Sequence, residues 1–90
     1  MEVGKMNDDT KYLTSQEAYE ALANAIVIQA VKDYRKVLIR LQKHPRNSMA
    51  LGEKKSLLNF FKSNYFSILT NIDSGRLISR VEREVLSYDS

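Results

Sequence analysis

After residue 13 the apolar residues recur at helical spacing along nearly the whole chain. Nowhere do they alternate with the period of two that a half-buried strand shows. The first helix start is marked at Thr14-Ser15-Gln16-Glu17. There the Thr14 hydroxyl suits the amide three residues on and Glu17 suits the amide of the cap, a reciprocal capping box. No glycine or proline follows until Pro45. Proline pushes its predecessor out of the α region, so the helix is expected to end near Lys43. A helix of that length measures roughly 42 Å. A compact domain of ninety residues has a diameter of only about 30 Å. The helix must therefore kink, project at one end, or lie against a second copy of the chain.

Rotating the sequence by ~100° per residue places Ile26, Val27, Ala30, Val31, Tyr34, Val37, Leu38 and Leu41 on one broad arc. Within it Val27, Val31, Tyr34, Leu38 and Leu41 alternate at four and three, the seam spacing of packed helices. A thinner apolar stripe, Ala21, Ala25, Ile28 and Ile39, falls on another side, as expected of a helix touched from two directions. This stripe is covered by the remaining helices or the N-terminal arm, or it serves as a homodimer seam or partner surface.

His44-Pro45-Arg46-Asn47 reads as a loop, with Asn47 or Ser48 as the next cap. A second helix is predicted from about Met49 to Lys62, with Leu51, Leu58 and Phe61 on one face and Leu57 and Phe60 beside them. Ser63-Asn64 breaks the pattern by competing for backbone hydrogen bonds. A short helix through Tyr65, Phe66, Ile68 and Leu69 follows. After a turn at Asn71-Ile72-Asp73-Ser74, a last helix from about Gly75 to Leu86 buries Leu77 or Ile78, Val81 and Val85. The expected fold is all-α: a small bundle with one long N-terminal helix, a second helix, a short third and a C-terminal fourth. Residues 1–13 are expected to form a flexible arm and 14–90 a single domain.

Composition narrows the chemistry. The chain has no cysteine and one histidine, His44, so neither disulfides nor a zinc site with several strong ligands is expected. Met1 to Tyr12 carries acidic residues and no apolar run, unlike a signal peptide. The run Ala25-Ile26-Val27-Ile28 is too short to cross a bilayer. A soluble cytoplasmic protein with no membrane contact is expected. No nucleophile–base pair and no glycine-rich phosphate loop is legible, so neither catalysis nor a cofactor is expected.

Charge changes the picture more. The net charge of +3 hides an acidic N-terminal quarter and a strongly basic stretch from Lys32 to Lys62. Lys32, Lys36, Arg40 and Lys43 follow at four, four and three residues along one helical face, with Arg35 to one side and Arg46 beyond the end. These six are candidate phosphate contacts for DNA or RNA, since each neutralised phosphate adds salt-dependent affinity. The bland alternative is a solvated face opposing the helix dipole. The segment from Asn64 to Glu84 also has the order of a helix-turn-helix, with Arg76, Arg80 and Arg83 on its second helix. Glu82 and Glu84 suit that role poorly and suit surface pairing with those arginines instead. The aromatic residues Phe60, Phe61, Tyr65 and Phe66 are expected in the core rather than stacked on bases.

The segments from Ala23 to Lys36 and from Asn59 to Thr70 resemble a family of small proteins of prophages and other mobile elements in Gram-positive bacteria. The resemblance covers most of the chain from Ala18 to Val85. It implies a bacterial cytoplasm and a phage-borne accessory or regulatory gene. It implies no activity and no site residue; the acidic, glycine-containing turn of the family has a looser counterpart in Asp73-Ser74-Gly75. Two functions remain open. One is an accessory factor, dimeric in form, that binds nucleic acid or a nucleoprotein through the basic face. The other is an interaction module, such as an inhibitor or adaptor of a host protein, without nucleic-acid affinity.

Overall fold

A computed structural model describes residues 15–88. Among them the chain forms four α-helices and no strand: α1 Ser15–Lys43, α2 Ser48–Phe61, α3 Asn64–Leu69 and α4 Ser74–Tyr88. The all-helical bundle anticipated from the periodicity is the architecture. The arm over residues 1–13 and the Thr14 cap lie outside the described residues. None of the helices is long and apolar enough to cross a membrane.

α1 runs unbroken for 29 residues, about 43 Å at 1.5 Å per residue. It touches each of the other three helices. α2 folds back along it after the short loop at Pro45, and Arg40 of α1 reaches Glu53 of α2. α4 runs in the same direction as α1. Tyr34 meets Glu82, Arg35 meets Glu84 and Gln42 meets the Val85 carbonyl, so the partners ascend together along both helices. Of the three ways to accommodate the excess length, the chain uses projection. Every residue from Ser15 to Leu22 is exposed, and the molecule measures 55 × 28 × 24 Å.

The core seam of α1 is Ala23, Val27, Ala30, Tyr34 and Val37. The broad arc read from the sequence is intact, since Ile26, Val31, Leu38 and Leu41 pack against the buried set. The seam within the arc is shifted, however. Alanines occupy two of its five positions, and their small side chains let another backbone approach where a Val or Leu stands off. Against this seam pack Ala50 and Phe61 of α2, Phe66 and Leu69 of α3, and Val81 and Val85 of α4. Leu77 and Ile78 are both partly buried, as are Leu57, Leu58 and Phe60. Leu51, expected on the inner face of α2, is exposed.

Three rings, Tyr34, Phe61 and Phe66, meet within the core. The Phe61 and Phe66 centroids are 5.6 Å apart at 86°, and Tyr34 meets Phe61 at 5.6 Å and 76°. Phe60 joins from the side, 5.6 Å from Phe66. These edge-to-face contacts direct positive ring edges at negative ring faces. Tyr65 touches Phe60 yet stays exposed, so of the four candidate rings Phe61 and Phe66 are interior, Phe60 is half-buried and Tyr65 is outside.

The helix boundaries follow from side-chain caps. Asn47 accepts from the Ala50 amide at 3.0 Å and starts α2. The Ser63 hydroxyl accepts from the Phe66 amide and donates to the Phe60 carbonyl, closing α2 and opening α3 with one group. Asp73 Oδ1 accepts from the Gly75 and Arg76 amides and starts α4 one residue earlier than its apolar pattern indicates.

Candidate nucleic-acid interface

The candidate contacts of α1 are not equivalent. Arg35 donates to Glu84 of α4 at 2.8 Å, and Arg40 donates to Glu53 of α2 at 2.9 Å. Both arginines are therefore engaged in surface ion pairs to neighbouring helices. The Arg35 guanidinium, through that hydrogen bond, holds the Glu84 carboxyl below its usual range, with a further contribution from nearby Arg80. Lys32, Lys36 and Lys43 remain exposed along α1, and Arg46 is exposed in the following loop. None of these four has an ion-pair partner among the described residues. The acidic residue between Lys32 and Lys36 on the chain, Asp33, accepts from Gln29 at 2.9 Å and faces the α2 side. The geometry thus separates six basic residues into two ion-paired arginines and four cations without an ion pair, of which Lys36 lines a depression with Asp33 and Glu53.

The second basic element is α4. Arg76, Arg80 and Arg83 are exposed at spacings of four and three, and all three line one shallow depression with Asp73, Gly75 and Ser79. Of the pairing expected between these arginines and Glu82 or Glu84, only the proximity of Arg80 to Glu84 is present, without an ion pair. Glu84 is held by Arg35, and Glu82 accepts the Tyr34 hydroxyl at 2.8 Å. Tyr34 is 0% exposed. Burial, then the hydrogen bond to Glu82, pushes its hydroxyl well above the usual tyrosine range. Glu84 nonetheless lines a second depression with Arg80 and Arg83, and Asp73 lies beside Arg76, so the arginine face keeps acidic neighbours without forming an ion pair among the described residues.

The thin apolar stripe divides as well. Ala21, Ala25 and Ile28 are exposed, Ile28 to 54%. Ile39 instead packs against the core cluster, because both α2 and α4 accompany α1 at that level and neither reaches its first turns. The strip therefore ends at Ile28. Further exposed apolar residues that the sequence pattern did not single out lie at the projecting end: Tyr19, Leu22 and, on α3, Ile68. Tyr19 and Ile68 line one depression together with Gln16, Glu20 and Asn24. Their exposure is legible only once the lengths of α1 and α2 are compared.

Among the described residues no group of three or more histidine, aspartate or glutamate side chains stands where it would hold a metal ion. The surface depressions are open grooves rather than enclosed cavities. Comparison of the chain with family models, with curated proteins and with solved structures finds no match.

Proposed function

We propose that the protein is a small accessory factor that binds nucleic acid through the phosphate backbone, using the lysine face of α1. The observation that carries this reading is the set Lys32, Lys36, Lys43 and Arg46. All four are exposed and lack an acidic partner among the described residues, while the neighbouring Arg35 and Arg40 are paired. Ammonium groups one helical turn apart, about 6 Å along the axis, track a phosphate backbone without reading its sequence. The resemblance to small prophage proteins supports a role as a phage-borne accessory gene product in a bacterial cytoplasm. The test is titration of labelled DNA at several salt concentrations. Affinity should fall steeply with salt, and Lys32→Glu with Lys36→Glu should weaken it strongly while helicity is retained. Binding unchanged by that double reversal refutes the reading.

A second reading rests on a different observation, the exposed apolar end formed by Tyr19, Leu22 and Ile68. Exposed apolar clusters mark contact surfaces, and a homodimer or a host protein fits here. Its seam would centre on Leu22 and Ile28 rather than Ile39. Molar mass in solution, compared between the wild type and Leu22→Asp, checks it: equal masses, both monomeric, exclude the homodimer.

A further inference from the structure

The apolar end of α1 adjoins a stretch of chain long enough to cover it. We propose that this stretch, residues 1–14, is its occupant, folded back so that Val3 and Met6 lie against Tyr19, Leu22 and Ile68. The proposal goes beyond the nucleic-acid reading of α1 and stands or falls without it. It assigns to the chain's own N-terminal segment the surface that a second copy or a host protein would otherwise take.

The surface exists because α2 is shorter than α1. Arg40 meets Glu53, and α2 runs back along α1 from there to its end at Phe61, near the level of Lys32. Val37 and Arg40 line a groove with Gly52 and Leu57 of α2. They come about five full turns after Tyr19 and Leu22, so all four stand on one side of the helix. That side continues below α2, and only its cover stops. Ile26, on the same side, still packs against the core cluster. Below it Leu22 is 61% exposed, and Ile68 of α3, which shares a depression with Tyr19, is 63% exposed. Helices in proteins owe most of their stability to packing of an apolar face, yet every residue from Ser15 to Leu22 is exposed.

Three properties of the segment fit it to this end. The first is reach. The segment joins α1 directly at Ser15, and Leu22 lies about 10 Å along the helix from there. A chain of this length extends to about 46–50 Å, enough to reverse and run back past Leu22. The second is composition. Val3 and Met6 are separated from Tyr12 and Leu13 by Asn7-Asp8-Asp9-Thr10, and asparagine and aspartate favour a reversal of the chain. The third is charge. From Ser15 to Val31 the only charged residues are Glu17 and Glu20. The segment brings Lys5 and Lys11 to them, while two of its three acids, Asp8 and Asp9, fall in the turn-forming stretch. A second copy is the poorer occupant. A symmetric contact of this end with itself uses the same patch twice and gathers Glu17 and Glu20 of both copies. A tethered segment is instead held at an effective concentration on the order of millimolar.

The chain has no cysteine, so a nitroxide can be attached at Met6→Cys alone in the full-length protein. In an isotope-labelled sample the amide signals of Tyr19, Leu22 and Ile68 should be lost while the nitroxide is oxidised and return when it is reduced. Those of Lys43 and Arg46, at the other end of α1, should survive throughout. A mixed sample, in which the nitroxide and the isotope are carried by different copies, should keep every signal. Val3→Cys repeats the measurement at a second position, and circular dichroism verifies the helices of both variants. Survival of the Tyr19, Leu22 and Ile68 signals with both labels overturns the inference. Loss of those signals in the mixed sample overturns it as well and identifies a second copy as the occupant. Neither result bears on the lysine face, which the DNA titration tests separately.

Discussion

Tyr34→Phe removes one hydroxyl from the centre of the molecule and nothing else. The ring stays, with its 5.6 Å edge contact to Phe61. What is lost is the 2.8 Å hydrogen bond to Glu82. Hydrogen bonds to charged acceptors contribute about 1.5–3 kcal/mol, and because the Glu82 carboxylate is exposed and regains water, the low end applies: about 1.5 kcal/mol near neutral pH. The sign of the pH dependence distinguishes this bond from ordinary packing. In the folded state the hydroxyl titrates above its ordinary value, raised by burial and by Glu82. Its contribution is therefore complete below the unfolded value of about 10 and is lost as pH rises beyond it. Above that point the unfolded chain releases the proton while the folded chain keeps it, and the wild type loses about 1.4 kcal/mol per pH unit relative to the variant. The gap should close within about one unit above pH 10 and then reverse. Urea melts of both proteins followed by circular dichroism, from near neutral to about pH 11, measure it. Every other ionisable group is common to both proteins and cancels in the difference. A stability difference that stays constant across this range would show that Tyr34 is not held protonated by burial against Glu82, and the argument would fail.

Other expected outcomes concern packing, backbone and charge. Phe61→Ala empties a site that is 1% exposed and removes three ring contacts, so it should cost about 3–5 kcal/mol in a urea melt; a loss under about 1 kcal/mol would mean the ring cluster is not the centre of the core. Gly52 lies inside α2 without positive φ, and a Cβ there meets nothing within 4 Å. Gly52→Ala should therefore raise stability by about 0.5–1 kcal/mol, and a lowered melting temperature would contradict it. Glu84→Gln breaks the ion pair that holds Arg35 and frees its guanidinium beside the lysine face; DNA affinity should rise, and a fall would place Glu84 among the groups that binding requires.

Much of this molecule could be read from local pattern. Pro45 placed the end of α1 because its steric demand acts on the adjacent residues alone. Asn47, Ser63 and Asp73 placed the later boundaries for the same reason, since a cap bonds amides only two or three residues away. The seam was harder. Val31 and Leu38 outrank Ala23 and Ala30 in hydrophobicity, yet the alanines are buried and those two only half-buried, because the seam is set by where the other helices pack on α1. The candidate site was legible as a set of basic residues but not as a working surface. Arg40 meets a glutamate 13 residues away and Arg35 one 49 residues away, and no periodicity encodes such pairs. Likewise Ile28 and Ile39 lie on one side of the same helix, and only the lengths of their neighbours make one exposed and the other half-buried.

The way α4 is attached has a consequence for the order in which the molecule comes apart. Its buried contacts run to α1, across a long sequence separation, whereas α2 lies against α1 directly after a short loop. Local opening is governed by how few contacts must break, so α4 is the segment expected to lift first, leaving the α1–α2 hairpin intact. Its backbone amides should then exchange with deuterium ahead of those in the middle of α1. Folding should run in reverse, with the nearby hairpin closing before the distant α4 docks.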